Sequence, residues 1–544
     1  MNWSQHLILL PILLPMLSGA VLIMINESRH QLKFCINMAS VVATLAAAIG
    51  LLWMTDSGYW ADGINVYLAG NWTAPFGIIL LIDRLSALMV LLTALLATLA
   101  LLYSMLRWSR IGVHFHSMFQ FLLMGINGAF LTHDLFNLFV FFEVMLAASY
   151  GLLLHGYNLK RLRAGMQFVV INLVASLLFL IGIALIYGAI GTLNMSDLAL
   201  RLKDVGGDEL VLFKIGGSIL ALAFLIKSAM WPLGFWLPTT YAAASPPVAA
   251  MLALMTKVGI YVLLRLGLLT LGDDSAASGF GLTVLFWGGV ITIIFGAAGM
   301  VATDDYGRLA GYAAIISSGT LLAAIGLGQP SLIAAVLYYL VSSTLAIAAL
   351  MLLIELIERC RNPIDAMLAI TMEAFGFEET PEQPVGVGIP AALALLALSF
   401  FACALVITGL PPLSGFVAKF TLFHSLLGIS ASDGGVVSTH ILLMGLLLLA
   451  GMAAIIALMR NGVRTFWASD AVPARLQLTE FLPIAILLGL CLLLTILAQP
   501  VMSYMDRASA SLHQPDLYIE RVMTAPVVPG VFHATEAISG GKTP

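Results

Sequence analysis

Long apolar runs alternate along the chain with short segments that hold most of the charged, Gly, Pro, Asn and Asp residues. A bilayer core about 30 Å thick requires about 20 apolar residues in each helix that crosses it, and fourteen runs approach this length. The predicted spans are 5–25, 33–54, 77–103, 114–131, 135–154, 165–190, 211–231, 247–271, 279–300, 308–327, 330–357, 389–428 as one broken helix, 439–460 and 480–504. The pattern therefore predicts an all-α polytopic membrane protein with about fourteen transmembrane helices.

The composition supports this fold class and argues against nucleic-acid binding and against metal or cofactor sites. Of the 544 residues, 61% are hydrophobic and 10% are charged, whereas soluble proteins are nearer half apolar and a quarter charged. A net charge of −4 leaves no basic face for nucleic acid. The four cysteines are far apart, and none has the spacing of metal ligands. We therefore expect no disulfide, no metal site and no cofactor.

The connections between the predicted spans differ sharply in their content of Lys and Arg. The even-numbered connections hold two, Arg201 and Lys203, and the odd-numbered ones hold thirteen. The thirteen are Arg29, Lys33, Arg107, Arg110, Lys160, Arg161, Arg163, Arg308, Arg359, Arg361, Arg460, Arg464 and Arg475. Because such residues stay on the cytoplasmic side, the count predicts that both termini lie on the periplasmic or outer side of a bacterial inner membrane.

Two segments outside the spans are long. Residues 358–388 form an acidic connection that contains proline, which is typical of a cytoplasmic loop. Residues 506–544 are rich in Gly, Pro and Ala. This tail either packs on a neighbour or forms a poorly ordered terminus.

Four charged residues lie deep within predicted spans. They are Glu143 in NLFVFFEVMLAAS, Lys227 in ALAFLIKSAM, Lys257 in MLALMTKVGIYVLL and Lys419 in GFVAKFTLF. A single charge at the bilayer centre costs a few kcal/mol, so it faces a partner or a hydrated cavity. Burial favours the neutral form of both a carboxyl group and an amine, which lets both groups exchange protons near neutral pH. We predict proton transfer, with Glu143 close to Lys227; structural ion pairs between helices are the alternative.

Prolines next to two of these lysines predict broken helices. Pro232 and Pro238 follow Lys227, while Pro411 and Pro412 precede Lys419. Interior prolines free backbone carbonyls, which a membrane protein tolerates only where protein or water satisfies them. Interrupted helices in matching positions of two halves indicate a transporter site. The seventh and twelfth spans are five apart, an odd number, so the two halves would run in opposite directions; simple kinks between packed helices are the alternative.

Other polar residues in or near the spans are weaker candidates. Asp134 lies nine residues before Glu143, about 13 Å away along a helix, and is either a relay or a solvated acid at the helix start. His424 lies five residues after Lys419 and is either a relay on the exit side or an ordinary packing residue. Asp83 and Arg84 are expected to form a structural pair across or along the third span.

Three segments resemble one family. IKSAMWPLGFWLPTTYAAASPPVAAMLALMTKVGIYVLLR at 226–265 is similar to the signature block of the proton-conducting antiporter-like subunits of respiratory complex I, membrane-bound hydrogenases and multisubunit cation/proton antiporters. FNLFVFFEVMLAASYGLLLHG and GLPPLSGFVAKFTLF resemble the family's glutamate helix and second broken helix. Within the family, these segments are most similar to the D-type subunit of the Mrp-type (Mnh, Pha) sodium or potassium/proton antiporters.

The resemblance implies a domain organisation and a site. It divides the chain into an N-terminal three-helix segment (1–113), a first five-helix repeat (114–271), an inverted second repeat (279–460) and a last helix with tail (480–544). It also implies that Glu143 and Lys227 form a coupling pair, that Lys257 relays protons along the membrane midplane, and that Lys419 exchanges them with the far side.

The chain departs from the family pattern on the eleventh span. Relatives often place a His there, and some a Lys four residues later, whereas LYYLVSSTLAIAA offers Ser342 and Ala346. Ser342, Ser343 and Thr344 could instead hold an ordered water wire, because hydroxyl groups both donate and accept hydrogen bonds.

The leading functional hypothesis is a secondary transporter rather than an enzyme. The chain would conduct protons inward within a hetero-oligomeric complex, coupled to expulsion of Na⁺ or K⁺, with other antiporter subunits and the lipid bilayer as partners. The alternative is a proton-pumping subunit of a redox complex of the complex I or hydrogenase type. Since the sequence has no flavin, haem or cluster ligand set, redox chemistry would belong to partner subunits. A scaffold with purely structural charges is the third hypothesis.

Overall fold

The computed structural model describes residues 3–110, 113–156, 159–272, 275–360, 391–432, 438–466 and 476–527. The acidic connection predicted at 358–388 lies almost entirely outside these residues, as does the tail beyond 527.

Helices make up most of the described chain. A helical turn at Trp3–His6 and a 3₁₀ turn at Leu7–Leu9 lead into the first long helix. The helices are α1 Leu10–Met24, α2 His30–Asp56, α3 Arg84–Ser104, α4 Phe115–Leu131, α5 Leu135–Leu154, α6 Leu159–Ile190, α7 Met195–Arg201, α8 Gly207–Lys227, α9 Leu237–Ala243, α10 Pro246–Thr270, α11 Leu282–Ala302, α12 Tyr306–Gly326, α13 Pro330–Cys360, α14 Ala391–Thr408, α15 Ser414–Ser432, α16 Ser438–Phe466, α17 Leu478–Ile496, α18 Ala498–Leu512 and α19 Pro515–Met523.

The number of spans agrees with the prediction. Within the described residues, thirteen helices are long and apolar enough to cross a membrane, and the 17-residue helix α4 is an apolar fourteenth. The predicted broken twelfth span corresponds to α14 and α15, which are separated at residues 409–413. The prediction of an all-α polytopic membrane protein is therefore confirmed.

The start of the third predicted span is wrong. Residues Ile79–Ile82 form a buried strand, β2, that pairs antiparallel with β1 at Asn65–Leu68. The helix α3 begins only at Arg84, where the Asp83 side chain accepts a hydrogen bond from Ser86 N and closes a capping box. Periodicity alone cannot assign a short apolar run to a strand or a helix, so the sequence pattern joins the strand to the helix that follows it.

Ion pairs group the connections on two faces. On one face the pairs link odd-numbered connections: Arg107–Glu355, Arg359–Glu480 and Arg460–Asp304. On the same face, Glu27 accepts a hydrogen bond from the backbone N–H of His114. On the other face they link even-numbered connections to the C-terminal segment: Lys203–Asp516, Arg507–Asp56 and Arg521–Asp62. This grouping agrees with the predicted number of spans, and the absolute orientation of the two faces stays a prediction.

Three helices occupy the centre of the bundle. The apolar stretch of α10 is buried along its whole length, and those of α12 and α13 are almost entirely buried. By contrast, α6, α8, α11 and α17 leave apolar side chains exposed, as expected of helices that face lipid. Lys257 therefore lies on the most enclosed helix of the described fold.

The C-terminal segment packs on this chain itself as far as residue 527. The last predicted span, 480–504, is in fact two helices, because Leu497 leaves helical geometry between α17 and α18. Tyr504 donates a hydrogen bond to Arg84 O at 2.7 Å, and Tyr518 on α19 is buried against His133. Burial raises the pKa of the Tyr518 hydroxyl far above its usual value. The prediction treated 506–544 as one tail rich in Gly, Pro and Ala, although the ordered residues 506–527 contain no Gly and include Leu, Tyr, Ile and Val.

Candidate functional site

Glu143 and Lys227 lie near each other on α5 and α8. The Lys227 Nζ atom is 4.7 Å from the centre of the Phe142 ring, so the face of this ring covers the ammonium group. Phe142 directly precedes Glu143 on α5. The Glu143 carboxylate acts electrostatically on Lys227. Within the described residues, however, Lys227 Nζ and Glu143 Oε1 are buried without a hydrogen-bond partner. The predicted proximity is present, but the two groups do not form a direct ion pair in this conformation.

The position of Lys227 follows from the end of its helix. Lys227 is the last residue of α8, and residues 228–236 separate it from α9. A cation at a helix C-terminus faces the negative end of the helix dipole, which favours its charge. A small cavity beside it is lined by Asn172, Trp236 and Tyr241 as well as by Lys227. The rest of its wall is apolar, and the space open to the centres of water molecules, about 10 Å³, is at the lower limit for one water molecule.

The end of α8 is pressed against α10. A Cβ atom at Gly259 would lie 2.6 Å from Ser228 Oγ, so only glycine permits this approach. Gly259 is two residues after Lys257, and Leu252 and Met255 of the same helix line the Lys227 cavity. No described hydrogen bond joins Lys227 to Lys257. Close packing of the two backbones nevertheless brings the two lysines to neighbouring parts of the bundle.

Lys257 begins a chain of hydroxyl groups. It is fully buried in the middle of α10, and its Nζ donates a hydrogen bond to Ser317 Oγ on α12 at 2.8 Å. The Ser317 hydroxyl in turn donates to Ser343 Oγ on α13 at 2.9 Å. Three central helices are thus connected by consecutive polar contacts that start at a titratable amine.

The hydroxyl chain ends in a cavity shared with Lys419. Ser317, Ser343, Ser342, Tyr339 and Lys419 line it, and the space open to the centres of water molecules is about 30 Å³. Most of the remaining wall is apolar, but the space is large enough for a water molecule that these polar side chains can hold. Lys257 and Lys419 are therefore separated by two serine hydroxyls and a space that water can fill.

The second broken helix supplies the hydrogen-bond acceptor for Lys419. Its Nζ donates to the backbone oxygen of Thr408, the last residue of α14, at 2.6 Å. This carbonyl has no partner within its own helix because the helix stops there. Gly409 follows with a φ of +80°, and a Cβ at this position would lie 2.5 Å from the Lys419 side chain. The break thus both exposes the acceptor and leaves room for the lysine.

The remaining predicted relay residues have different surroundings. Ser342 lies in the cavity wall and shares a hydrogen bond with Ser414 Oγ at 2.8 Å. Thr344 does not line the cavity, and its hydroxyl donates to Leu340 O of its own helix. Asp134 caps the N-terminus of α5 by accepting from Asn137 N. His424 is exposed and stacks on Phe420, so it does not join the internal chain.

Sequence reasoning missed two serines and one ion pair. Ser317 and Ser414 lie in apolar helices where isolated serines are common, so only the contacts to Lys257 and Ser342 single them out. The ion pair is buried and joins the Arg265 guanidinium to Asp83 Oδ1 at 2.7 Å.

This buried pair corrects the expected pairing of Asp83 with its neighbour Arg84. Arg84 instead lies 3.6 Å from Asp56, while a guanidinium from α10 reaches Asp83. Such a long-range contact is set by how the helices pack, which the local sequence does not specify.

Comparison with known families assigns the chain. The sequence model of the family described as "NADH:quinone oxidoreductase/Mrp antiporter, TM" matches residues 132–439. This range contains all four charged residues and the serines that connect them. The chain belongs to this family. Within it, the relatives place the chain with the D-type subunits of the Mrp-type antiporters.

Two relatives match over nearly their whole length, and both are antiporter subunits of the D type. The probable K⁺/H⁺ antiporter protein of Rhizobium meliloti is 51% identical over 532 residues, which cover 96% of this chain and 99% of that protein. The Na⁺/H⁺ antiporter protein of Alkalihalophilus pseudofirmus is 33% identical over 526 residues, which cover 95% of this chain and 99% of that protein.

Solved structures share the fold of this Mrp-type chain. A chain of the Mrp complex from Dietzia sp. DQ12-45-1b superposes with a TM-score of 0.78 at 25% identity, covering 96% of this chain and 100% of that one. A chain of respiratory complex I from Thermus thermophilus gives a TM-score of 0.69 at 22% identity, covering 94% and 99%. At this identity the likeness to complex I concerns the fold alone.

Proposed function

We propose that this protein is the component of a multisubunit K⁺/H⁺ antiporter through which protons cross the membrane. The observation that carries the proposal is the bonded chain from Lys257 through Ser317 and Ser343 into the cavity that holds Lys419. A proton relay needs titratable groups that are joined by hydroxyl groups or water. The hydroxyl chain and the water-sized cavity between two buried amines supply these connections.

The relay works by exchange at each group. A proton that leaves the Lys257 ammonium for Ser317 Oγ is matched by the proton that Ser317 passes to Ser343, so the serine stays neutral. The Ser343 hydroxyl donates to Leu340 O at 3.2 Å, so it turns toward the cavity before water accepts its proton and delivers it to the neutral amine of Lys419. Each hydroxyl both donates and accepts, which is the property that this transfer requires. Ser317 on the tenth span and Ser343 on the eleventh thereby replace the His and Lys that relatives often carry on the eleventh span.

Glu143 controls how firmly the first lysine holds its proton. The carboxylate attracts the charged form of Lys227, and burial opposes that charge. A movement that brings the carboxylate closer or takes it away would therefore load or unload Lys227. Glu143 is half-buried at the edge of the bundle, where a neighbouring protein of the complex could drive this movement.

The relatives support K⁺ as the exchanged cation. The 51% identical protein is named for probable K⁺/H⁺ antiport, whereas the protein named for Na⁺/H⁺ antiport is 33% identical. We place the chain in a bacterial inner membrane with both termini on the outer side, since Lys and Arg concentrate in the odd-numbered connections. Other antiporter subunits are its partners.

Everted vesicles that carry the complete complex test this function. After a pH gradient is formed and the electron donor is removed, a pulse of K⁺ should collapse the gradient, and an equal pulse of Na⁺ should collapse it less. An equal response to both ions would overturn the choice of K⁺. A collapse that occurs only while NADH or hydrogen is oxidised would replace the antiporter by the redox-coupled alternative.

A further inference from the structure

A second set of buried polar side chains lies outside the lysine chain, between α1, α2 and α4. We call it the polar seam. It consists of Lys33, Asn37, Ser40 and Thr44 on α2, His116, Gln120 and Asn127 on α4, and the half-buried Ser18 on α1. The residues on α2 recur about once per turn over eleven residues, or about 16 Å. The seam precedes residue 132, where the family match begins.

Hydrogen bonds fix the orientation of the groups at the first two turns. Gln120 Nε2 donates to the backbone oxygen of Asn37, so its amide nitrogen must face α2. The same nitrogen donates to Asn37 Oδ1 at 2.7 Å, which turns Asn37 Nδ2 toward His116 Nδ1 at 2.8 Å. His116 Nδ1 therefore accepts, and a neutral His116 carries its proton on Nε2. The seam thus presents a defined N–H group inside the bundle.

Two atoms of the seam and one on a neighbouring residue lack a partner. His116 Nε2, Asn127 Oδ1 and Ser117 Oγ are buried and make no hydrogen bond within the described residues. His116 and Asn127 are themselves almost completely buried. Buried polar groups are normally paired with protein or ordered water. Hydrogen bonds between helices account for the paired atoms of the seam, and ordered water is the partner that we infer for the unpaired ones.

One end of the seam opens at a charged mouth. Glu27 accepts hydrogen bonds from Lys33 Nζ at 2.7 Å and from the backbone N–H of His114 at 3.1 Å, and it remains partly exposed. Partial burial alone would raise the pKa of Glu27, but these hydrogen bonds and the Lys33 charge hold it below its usual range. An ionised carboxylate at the surface attracts protons and cations to the mouth.

The other end of the seam approaches the lysine chain. Asn127 Nδ2 donates to Pro11 O, and one turn later on α4 the Phe130 carbonyl accepts from Tyr261 OH at 2.8 Å. Tyr261 is one turn after Lys257 on α10. The seam therefore runs from a partly exposed acid to within about one turn of a contact with the helix that holds the central lysine.

We propose that the polar seam binds a file of water molecules and is a proton path between the neighbourhood of Lys257 and the Glu27 mouth, which lies on the face of the odd-numbered connections. This path rests on the proposed antiport function, because it connects that relay to the cytoplasmic face. His116 Nε2 donates to a water oxygen, while Asn127 Oδ1 accepts from a water at the deeper end. Protons pass along the water, and the side chains hold it in place.

Thiol labelling tests the water without depending on transport. In a chain whose four native cysteines are replaced, Ser40→Cys should react with a small water-soluble thiosulfonate applied from the Glu27 side. Val41→Cys is the matched control, since Val41 is buried at the same depth but is apolar. Labelling of position 40 at least tenfold faster than that of position 41 is the expected result. Equal rates would mean that the seam is dry, and would overturn the proposal.

A transport measurement separates a proton path from a purely structural seam. The double variant Asn37→Leu/Gln120→Leu removes both partners of a hydrogen bond with little change of shape, which is often tolerated. We expect the complex to assemble and K⁺-driven proton release to fall about tenfold. A rate equal to that of the unmodified complex, with normal assembly, would overturn the proton path and leave the antiport function intact. If Glu143→Ala and Lys227→Ala also left the rate intact, the proposed function itself would fail.

If the double leucine variant does not assemble, a second pair of variants tests whether the seam contains water. Gln120→Leu removes the polar group from the seam, whereas Gln120→Glu keeps a polar group on a side chain of the same length. Labelling of Ser40→Cys should slow at least fivefold with the leucine and stay within about twofold with the glutamate. Equal labelling in both variants would overturn the water file, because a hydrated seam must respond to the loss of its polar lining.

Discussion

Lys227 and Lys419 both lie beside the break of a helix, yet their ammonium groups have different surroundings. Lys419 donates to a freed backbone carbonyl, Thr408 O, and borders a cavity that water can occupy. Lys227 has no hydrogen-bond partner within the described residues; it faces the Phe142 ring and the field of Glu143. A carbonyl at a fixed helix end stabilises the charge permanently, whereas a carboxylate that is near but not bonded stabilises it according to its distance.

This difference suits the two breaks to distinct tasks. Under the proposed function, the site of Lys227 changes its hold on a proton when Glu143 moves, which would couple proton transfer to another event. The site of Lys419 keeps a constant partner and would deliver protons to one side. The lysine also precedes the break in the first case and follows it in the second. The two breaks are therefore similar in plan but not in the electrostatics of their lysines.

The largest expected effect comes from removal of the coupling charges. Glu143→Ala or Lys227→Ala should lower K⁺-driven proton release by about 100-fold or more, since loss of a proton-transferring group typically costs two or more orders of magnitude. The rate is measured in everted vesicles with normal assembly confirmed. Glu143→Asp keeps the charge at a greater distance from Lys227 and should retain part of the rate. If Glu143→Asp and Glu143→Ala were equally inactive, distance would not be the controlling variable.

Interruption of the hydroxyl chain should have the next largest effect. Ser317→Ala removes the acceptor of Lys257 Nζ and the donor to Ser343, so proton release should fall about tenfold. The matched control is Ser318→Ala. Ser318 is buried next to Ser317, but within the described residues its hydroxyl makes no hydrogen bond, and it does not line the cavity. A similar loss in both variants would mean that packing of α12, rather than the hydroxyl, is responsible.

A backbone change at the second break should have a moderate effect. At Gly409 the φ of +80° and the nearby Lys419 side chain both disfavour a Cβ, so Gly409→Ala should cost about 1–2 kcal/mol and shift Lys419 from Thr408 O. We expect a lower unfolding temperature of the purified complex and a proton-release rate reduced about threefold.

The first broken helix supplies the control for that change. A Cβ at Gly217 of α8 meets nothing within 4 Å, and alanine is the better helix former by about 0.8–1.0 kcal/mol. Gly217→Ala should therefore leave the unfolding temperature equal or higher, with an unchanged rate. Destabilisation by both alanines would show that glycine at the break has no special role.

The spans could be predicted from sequence because the membrane requires long apolar helices and a one-sided distribution of Lys and Arg. The deep residues Glu143, Lys227, Lys257 and Lys419 are evident because a charge stands out in such a helix. The strand Ile79–Ile82 escapes prediction because it is as apolar as the helix that follows. Periodicity holds too little information over so few residues.

The partners of the lysines could not be predicted, because they are set by how helices meet. Ser317 reaches Lys257 across 60 positions of sequence, and Arg265 reaches Asp83 across 182. A hydroxyl in an apolar helix often bonds to its own backbone, as that of Thr344 does. Only the rotation of α12 and α13 about their axes decides which hydroxyl faces the cavity, and the sequence alone does not specify that rotation.

The smallest effect is expected from a change at Thr344. This variant tests which hydroxyl of α13 contributes to the Lys419 cavity. The predicted water wire includes this residue, but its hydroxyl donates to Leu340 O and the side chain does not line the cavity. Thr344→Val keeps the shape, removes only the hydroxyl and should change proton release by less than about twofold.

The comparison variant is Ser342→Ala, two residues earlier on the same helix. It removes a cavity hydroxyl bonded to Ser414 and should slow proton release by about threefold to tenfold. Both rates are measured in everted vesicles with equal amounts of assembled complex. If the valine variant were the slower of the two, α13 would have to be rotated in the working protein, and Thr344 rather than Ser342 would lead to Lys419.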